Sequence, residues 1–210
     1  MYFPRLSLTC EMAAPRGSRE MKRLEKELAD IKSMKDALFT ADSVNGDLTH
    51  WKAKMTGPKD TPYEGGTFFL EIRIGDDYPY SPPKIKFTTK IWHPNISSQT
   101  GAICLDVLGK EWSPALTIRT ALLSIQALLS LPEPDDPQDA EVATMYKQNR
   151  PMFVQTAKYW TSTFAQDTGD KTQEDSINRI VEMGFDAAQA RAALEKHNWD
   201  ETRALNSLLG

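Results

Sequence analysis

Apolar side chains recur every three to four residues near the start of the chain, which predicts an amphipathic helix over residues 19–38. Leu24, Leu28 and Ile31 would form its buried stripe. Basic side chains crowd the first turns, and two interpretations of them stay open, a solvated face and a docking surface. These residues are Arg19, Lys22, Arg23 and Lys26.

The pattern then changes to an alternation of apolar and polar residues, which is typical of half-buried β-strands. Three segments show it, at residues 48–55, 67–74 and 84–89. Gly57-Pro58 and Gly65-Gly66 are turn signals of hairpin length between them. Because short connections join antiparallel neighbours, the strands are expected to form a meander.

Prolines interrupt the alternation before the last of these strands. Pro79, Pro82 and Pro83 lack the N–H that sheet pairing needs, so residues 78–83 are predicted to form a rigid, extended flap. A long irregular region follows at residues 90–114. Loops of this length in a compact domain are usually functional, so the chemistry is expected there.

Helical patterns occupy most of the remaining chain, with helices predicted at residues 116–131, 141–148 and 151–164. A polar linker is predicted at 166–173, and three short helices at 174–210 would form a small domain near the lower size limit for folding. Asp186 and Asp200 are expected to cap its second and third helices. Its predicted core comprises Ile177, Ile180, Val181, Ala192, Leu194, Leu205 and Leu208.

The net charge of the 210 residues is -4, which argues against a nucleic-acid partner because such partners favour a basic excess. The longest apolar stretch, residues 116–131, is interrupted by Arg119 and Gln126. It is therefore interpreted as a buried helix rather than a membrane span, and no membrane association is expected.

The chain has two cysteines, and Cys10 falls in residues 1–18, which are predicted to be a disordered extension. A structural disulfide is therefore not expected, which predicts a reducing compartment: the cytoplasm, and the nucleus in addition. Cys104 is then a lone thiol in the body of the chain. Its neighbours decide between a buried structural cysteine and a reactive one.

The residues around Cys104 resemble the active-site signature of ubiquitin-conjugating enzymes. His93-Pro94-Asn95 precedes the cysteine by about ten residues, and Trp112-Ser113-Pro114 follows it. The proline flap and Pro134-Asp135-Asp136-Pro137 match in the same order. The resemblance implies a catalytic domain at 19–165 with an α+β fold, the UBC fold, in which an N-terminal helix, a four-stranded antiparallel meander and C-terminal helices pack together.

This resemblance also implies an activity. The chain would accept ubiquitin from an activating enzyme as a thioester on Cys104 and transfer it to a lysine, usually with a ligase, as a monomer without cofactor or metal. Asn95 would donate a hydrogen bond to the oxyanion or hold the loop that does, and Asp136 would orient the lysine. Asp106 would assist the acceptor or structure its loop. His93 is either a general base or a structural residue.

Docking surfaces are implied in the same way. Tyr80, Pro114 and Ala115 match the loops that bind ligases, with the RING type expected, although a core-packed Tyr80 is the alternative. The basic residues of the first helix match the face that binds the activating enzyme and the ligase. Exposed aromatic and proline side chains suit a small, transient interface.

The C-terminal segment resembles a UBA domain, a three-helix module that binds ubiquitin without a covalent bond. The pairing of both domains resembles the UBA-bearing branch of the family, which builds proteasome-targeting ubiquitin chains. We expect the UBA to aid chain building rather than first attachment. The expected contacts, of which Phe185 and Leu208 could instead hold the helices together, are Met183, Gly184, Phe185, Leu208 and Leu209.

Two other functions fit parts of the pattern. A cysteine protease would use Cys104, His93 and Asn95, but papain-like enzymes place the histidine and asparagine far downstream of the cysteine. A non-catalytic ubiquitin-binding adaptor on the same fold is the second alternative. The family's inactive variants lack the acceptor cysteine, whereas this chain keeps it.

Overall fold

The computed structural model describes residues 17–34, 38–167, 173–197, 199 and 201–209. The chain divides into two compact units, the first ending at Gln166 and the second beginning at Asp167. The predictions for residues 1–16, for Cys10 among them, for most of the linker and for the cap at Asp200 lie outside the described residues.

Helix α1 spans Ser18–Lys32 and is shorter than predicted. The predicted apolar stripe is confirmed, since Leu24, Leu28 and Ile31 are all buried. The predicted end at Leu38 is wrong because Ser33 closes the helix, donating its N–H to the carbonyl of Ala29 and its hydroxyl to that of Asp30.

Four strands form the antiparallel meander, which is confirmed: β1 Phe39–Val44, β2 Asp47–Thr56, β3 Thr67–Arg73 and β4 Lys84–Phe87, in that order across the sheet. Strand β1 was not among the three segments predicted from alternation. Asn45 and Gly46, both with positive φ, make the tight turn into β2. An Asn-Gly pair at a hairpin is a strong turn signal and could have located this strand.

Two connections differ from the predictions. Gly57 and Gly66 lie in one loop between β2 and β3, where the Gly57 N–H donates to the Gly66 carbonyl at 2.8 Å, so the two glycine signals do not mark separate hairpins. The proline flap turns rather than extends. The N–H groups of Tyr80 and Ser81 both donate to the Asp77 carbonyl, which accounts for the turn.

Three helices complete the first unit: α2 Ile118–Ser130, α3 Ala140–Gln148 and α4 Arg150–Phe164, as predicted within two residues. Side chains just before each helix cap its free N–H groups. The apolar face of α2 shares a core with one face of the sheet, formed by Trp51, Phe68, Leu70, Ile72, Ile118, Leu122, Ile125 and Leu129. No helix in the described part of the chain could cross a bilayer.

The second unit is the predicted three-helix bundle: α5 Gln173–Glu182, α6 Ala187–Lys196 and α7 Glu201–Leu209. Asp186 caps α6 through the Ala188 N–H, as predicted. The predicted core is wrong at Val181 and Ala192, which are exposed because each lies next to the buried stripe of its helix, and Leu205 and Leu208 are only partly buried. Three alanines join larger side chains in the centre, and the buried core is Ile177, Ile180, Ala190, Ala193, Leu194 and Ala204.

Candidate active site

Cys104 lies in the irregular region between β4 and α2 and is held there by its backbone. Its N–H donates to the carbonyl of Asn95 at 2.9 Å, and Ile103 pairs antiparallel with Ile96. The cysteine is half-buried and forms no disulfide within the described part of the chain. Its thiol is thus presented at the surface on a segment that the 95–96 backbone fixes.

The Asn95 side chain is buried and joins the cysteine segment to the acidic loop at residues 133–136. Its amide nitrogen donates to the carbonyls of Glu133 and Asp136, at 2.8 and 2.9 Å, and its amide oxygen accepts from the Glu133 N–H at 2.8 Å. Both donor hydrogens and the acceptor are therefore occupied. Of the two predicted roles, holding the loop is the one that this geometry displays.

Asp136 is brought to the cysteine by that loop, with its carboxylate Oδ2 3.9 Å from the Cys104 Sγ. The pKa of Cys104 is raised, first by burial and then by the negative charges of Asp136 and Asp106, which Lys110 partly opposes. An ordinary cysteine is only about 3% thiolate at pH 7, and here the fraction is smaller. The free thiolate of Cys104 is therefore disfavoured by its surroundings.

Asp106 begins a single 3-10 turn, Asp106–Leu108, just after the cysteine. Its carbonyl accepts from the N–H groups of Gly109 and Glu111, which structures the loop, while its carboxylate pairs with Lys110 at 3.1 Å. Of its two predicted roles, structuring the loop is the one that this geometry displays, and assistance to the acceptor stays a prediction. The charge acts on Cys104, and the backbone shapes the turn. Lys110 had not been predicted as a site residue.

His93 is fully buried and both of its ring nitrogens are used. Nδ1 accepts from the Asn95 N–H at 3.0 Å, and Nε2 lies 3.0 Å from the Leu128 carbonyl, which requires a proton on Nε2. Burial lowers the pKa of His93 to about 4, which keeps the ring neutral. This environment contradicts the general-base interpretation and favours the structural one.

Acid should destabilise the protein through His93. In the unfolded chain the imidazole binds a proton below about pH 6.5, whereas the folded protein resists this until about pH 4. About 3 kcal/mol of stability, present above pH 6.5, is therefore lost as the pH falls towards 4. Denaturant unfolding at several pH values should show a weaker dependence in this window for His93→Gln, and equal slopes would contradict the prediction.

The acidic loop has a second anchor that was not predicted. The Pro94 carbonyl accepts from the N–H groups of Gln138 and Asp139, both at 2.9 Å. The Asp139 carboxylate caps α3 through the Val142 N–H and also accepts from the Ser98 N–H at 3.1 Å. An aspartate directly before a helical pattern is a typical cap and could have been recognised. The loop with Asp136 is thus fixed at both ends.

Comparison with known protein families finds a matching family model for each of the two units. The family model described as "Ubiquitin-conjugating enzyme" matches residues 23–161, and the model described as "UBA/TS-N domain" matches residues 173–208. The chain belongs to the ubiquitin-conjugating enzyme family. Its first unit is the ubiquitin-conjugating domain, and its second is a UBA domain.

Two similar proteins align with nearly the whole chain, and a similar solved structure aligns with a smaller part of it. "Ubiquitin-conjugating enzyme E2 27" of Arabidopsis thaliana is 52% identical over 190 residues, covering 90% of this chain and 97% of that protein. Human "Ubiquitin-conjugating enzyme E2 K" is 46% identical over 192 residues, covering 91% and 96%. A solved E2 domain of a Toxoplasma gondii ubiquitin conjugating enzyme is 66% identical, with a TM-score of 0.67, covering 70% of this chain and all of that one.

A buried carboxylate that was not predicted holds three parts of the ubiquitin-conjugating domain together. Glu27 of α1 accepts from the Arg23 guanidinium and the Tyr78 hydroxyl, each at 2.8 Å, and from the Ile118 N–H at 2.9 Å. It is only 6% exposed. Helix α1 is thereby joined to the proline flap and to the start of α2.

Arg23 differs from the other basic residues of α1. Its guanidinium donates to the Leu116 carbonyl at 2.8 Å and lies over the ring of Tyr78, so it is committed within the domain. The other three remain exposed and keep the predicted docking face: Arg19, Lys22 and Lys26. Arg23 is therefore less available for docking than the other basic residues of α1.

The residues predicted to bind a ligase lie at the surface of the domain. Tyr80 is 79% exposed, so its core-packed alternative is wrong, and Pro114 and Ala115 are exposed as well. Trp112 links their two loops, because its indole N–H donates to the Pro79 carbonyl at 2.8 Å. The two loops can therefore present one apolar patch.

The five residues predicted to contact ubiquitin in the UBA domain fall into an exposed group and a group that packs against the helices. Met183 and Leu209 are 62% and 68% exposed, whereas Phe185 and Leu208 pack partly against the core of the UBA domain. Gly184 is exposed with a φ of +98°, a conformation that strains other residues. Met183, Gly184 and Leu209 are thus available for contact, and the other two mainly hold the helices.

Proposed function

We propose that Cys104 carries ubiquitin as a thioester and passes it to lysine, building chains that target proteins to the proteasome, in the cytoplasm and also in the nucleus. The observation that supports this is the half-exposed thiol with the Asp136 carboxylate 3.9 Å from its sulfur. A ligase, of the RING type, would bind the patch of Tyr80, Pro114 and Ala115.

Loading needs little catalytic help. The Cys104 thiolate attacks the thioester carbonyl carbon of ubiquitin, and the thiolate of the activating enzyme leaves. One thioester replaces another, so the bond energies nearly balance. The small thiolate fraction suffices because a thiolate is an intrinsically strong nucleophile.

Transfer to lysine is the harder step. An ordinary lysine amine is protonated more than about 99.9% of the time at pH 7. When the neutral amine attacks, positive charge develops on its nitrogen, and the Asp136 carboxylate stands where that charge would be stabilised. Loss of the proton and departure of the Cys104 thiolate complete the isopeptide bond. Asp106, which also acts on the Cys104 charge, would contribute at longer range.

A loading assay with activating enzyme, ATP and ubiquitin tests the proposal. The full chain should form an adduct that reductant removes, and Cys104→Ser should form one that reductant leaves intact, because an oxyester resists thiols. Cys10→Ala is the matched control and should load normally. An adduct that persists in Cys104→Ala, or no adduct in the unaltered chain, would overturn it.

The UBA domain is proposed to bind ubiquitin and speed chain growth. Met183→Asp puts a charge on an exposed apolar side chain and should weaken ubiquitin binding by about tenfold without lowering the melting temperature. Loading of Cys104 should be unchanged, while growth of long chains slows. Ala192→Asp, also exposed, is the matched control. Titration of ubiquitin followed by NMR, with chain assays beside it, would show whether either effect is missing.

A further inference from the structure

A groove of about 770 Å³ borders the segment that carries Cys104. Its apolar lining comes from the end of the proline flap, from β4 and from the two sides of the cysteine: Pro82, Pro83, Ile85, Ile103 and Leu108. Ile103 and Leu108 are only half-buried, so part of this apolar surface faces solvent. Exposed apolar surface of this kind marks binding sites more often than chance.

Charge on the rim of the groove contrasts with the acidic chain. Arg73, Lys84 and Lys86 line it, and the carboxylate that lines it is Glu71. That carboxylate already pairs with Arg73 at 2.8 Å and with Lys86 at 3.0 Å. Lys84 is exposed and has no ion pair within the described residues. An incoming ligand therefore meets an excess of positive charge above an apolar floor.

The groove is continuous with the candidate active site. Ile103 directly precedes Cys104, and Leu108 ends the 3-10 turn that Asp106 begins. Ala102, also in the lining, pairs antiparallel with Lys86 of β4, which fixes this wall against the sheet. A segment lying in the groove would therefore reach the face that carries the thioester within a few residues.

We propose that this groove binds an extended segment of the acceptor protein, rich in acidic and apolar residues, next to the lysine that receives ubiquitin. The apolar side chains of this segment would pack on the apolar floor, and its carboxylates would pair with the cations of the rim. The positive rim disfavours a basic segment, so the groove would select among lysines by their flanking sequence. This inference rests on the proposed role of Cys104 as the ubiquitin carrier.

Single-turnover discharge of the loaded full chain to lysine peptides tests the inference. Three peptides share one lysine, with flanks that are acidic and apolar, basic and apolar, or acidic with serine in place of the apolar residues. The first should react about fivefold faster than each of the others at low salt, since exposed charge pairs are individually weak. Lys84→Glu should abolish the preference for acidic flanks and leave discharge to free lysine unchanged.

Lys59→Glu is the matched control, because Lys59 is exposed outside the groove and its reversal changes the total charge equally. It should keep the preference. Equal rates for the three peptides, or a preference that survives Lys84→Glu, would overturn the inference. So would a Lys84→Glu chain impaired only in ligase-stimulated discharge, which would assign the groove to the ligase. Failure of Cys104 to load would instead contradict the proposed function and would be visible before any peptide is added.

Discussion

Asn95→Ala is expected to slow discharge of ubiquitin from Cys104 to lysine by about 100-fold while leaving loading nearly intact. The substitution removes all three side-chain hydrogen bonds that fix the 133–136 loop, so the Asp136 carboxylate loses its position beside the sulfur. A misplacement of about 1 Å can cost 10²-fold in rate. Discharge of the purified thioester to free lysine measures the effect, and normal discharge would remove Asn95 from the mechanism.

A double-mutant cycle separates the two roles of Asn95. Asp136→Asn keeps the backbone carbonyl that Asn95 binds and removes only the charge. If Asn95 acts by positioning Asp136, the double variant should be little slower than the slower single variant. If Asn95 instead donates to the oxyanion, the two losses should multiply. Multiplicative rates would contradict the positioning role that the structure indicates.

Glu27→Ala is expected to lower the free energy of unfolding of the ubiquitin-conjugating domain by about 3–5 kcal/mol. It leaves the Tyr78 hydroxyl and the Ile118 N–H without their acceptor in a buried site and removes the charge partner of the half-buried Arg23, which keeps the Leu116 carbonyl. Domains are commonly stable by only about 5–15 kcal/mol, so the loss is severe. Denaturant unfolding followed by tryptophan fluorescence measures it.

Glu25→Ala is the matched control for Glu27→Ala. Glu25 lies on the same helix but is exposed, so its removal should change the unfolding free energy by less than about 0.5 kcal/mol. Similar midpoints for the two variants would show that the Glu27 network adds little stability. Because the chain has two units, the transition of the UBA domain should be followed separately and should stay unchanged.

Local periodicity was sufficient for most of the helices and strands, because Leu24, Leu28 and Ile31, for example, share a face whatever lies opposite. It failed where short-range chemistry decided the boundary, as at Ser33. In the UBA domain, Val181 and Ala192 stand next to buried positions but are exposed, and periodicity alone did not separate them from their buried neighbours.

The contacts within the candidate active site were less predictable from the sequence pattern than the helices and strands were. The motif around Cys104 named Asn95 and Asp136, but their contacts join residues about 40 apart in the chain, which no local pattern encodes. Glu27 could have been noticed, since it stands three residues after Leu24 on the apolar stripe of α1. A charged residue at such a position needs a buried partner, but the sequence does not say that the partner is Tyr78.

Asn95 binds the cysteine segment through its main chain and the acidic loop through its side chain. We therefore expect thermal motion of residue 95 to move the cysteine segment and the acidic loop together. The backbones of Cys104 and Asp136, 32 residues apart in the chain, are thus both hydrogen-bonded to residue 95. Warming should then change the rate of transfer mainly through the chemical barrier, up to the temperature at which the hydrogen bonds of residue 95 to the two segments break.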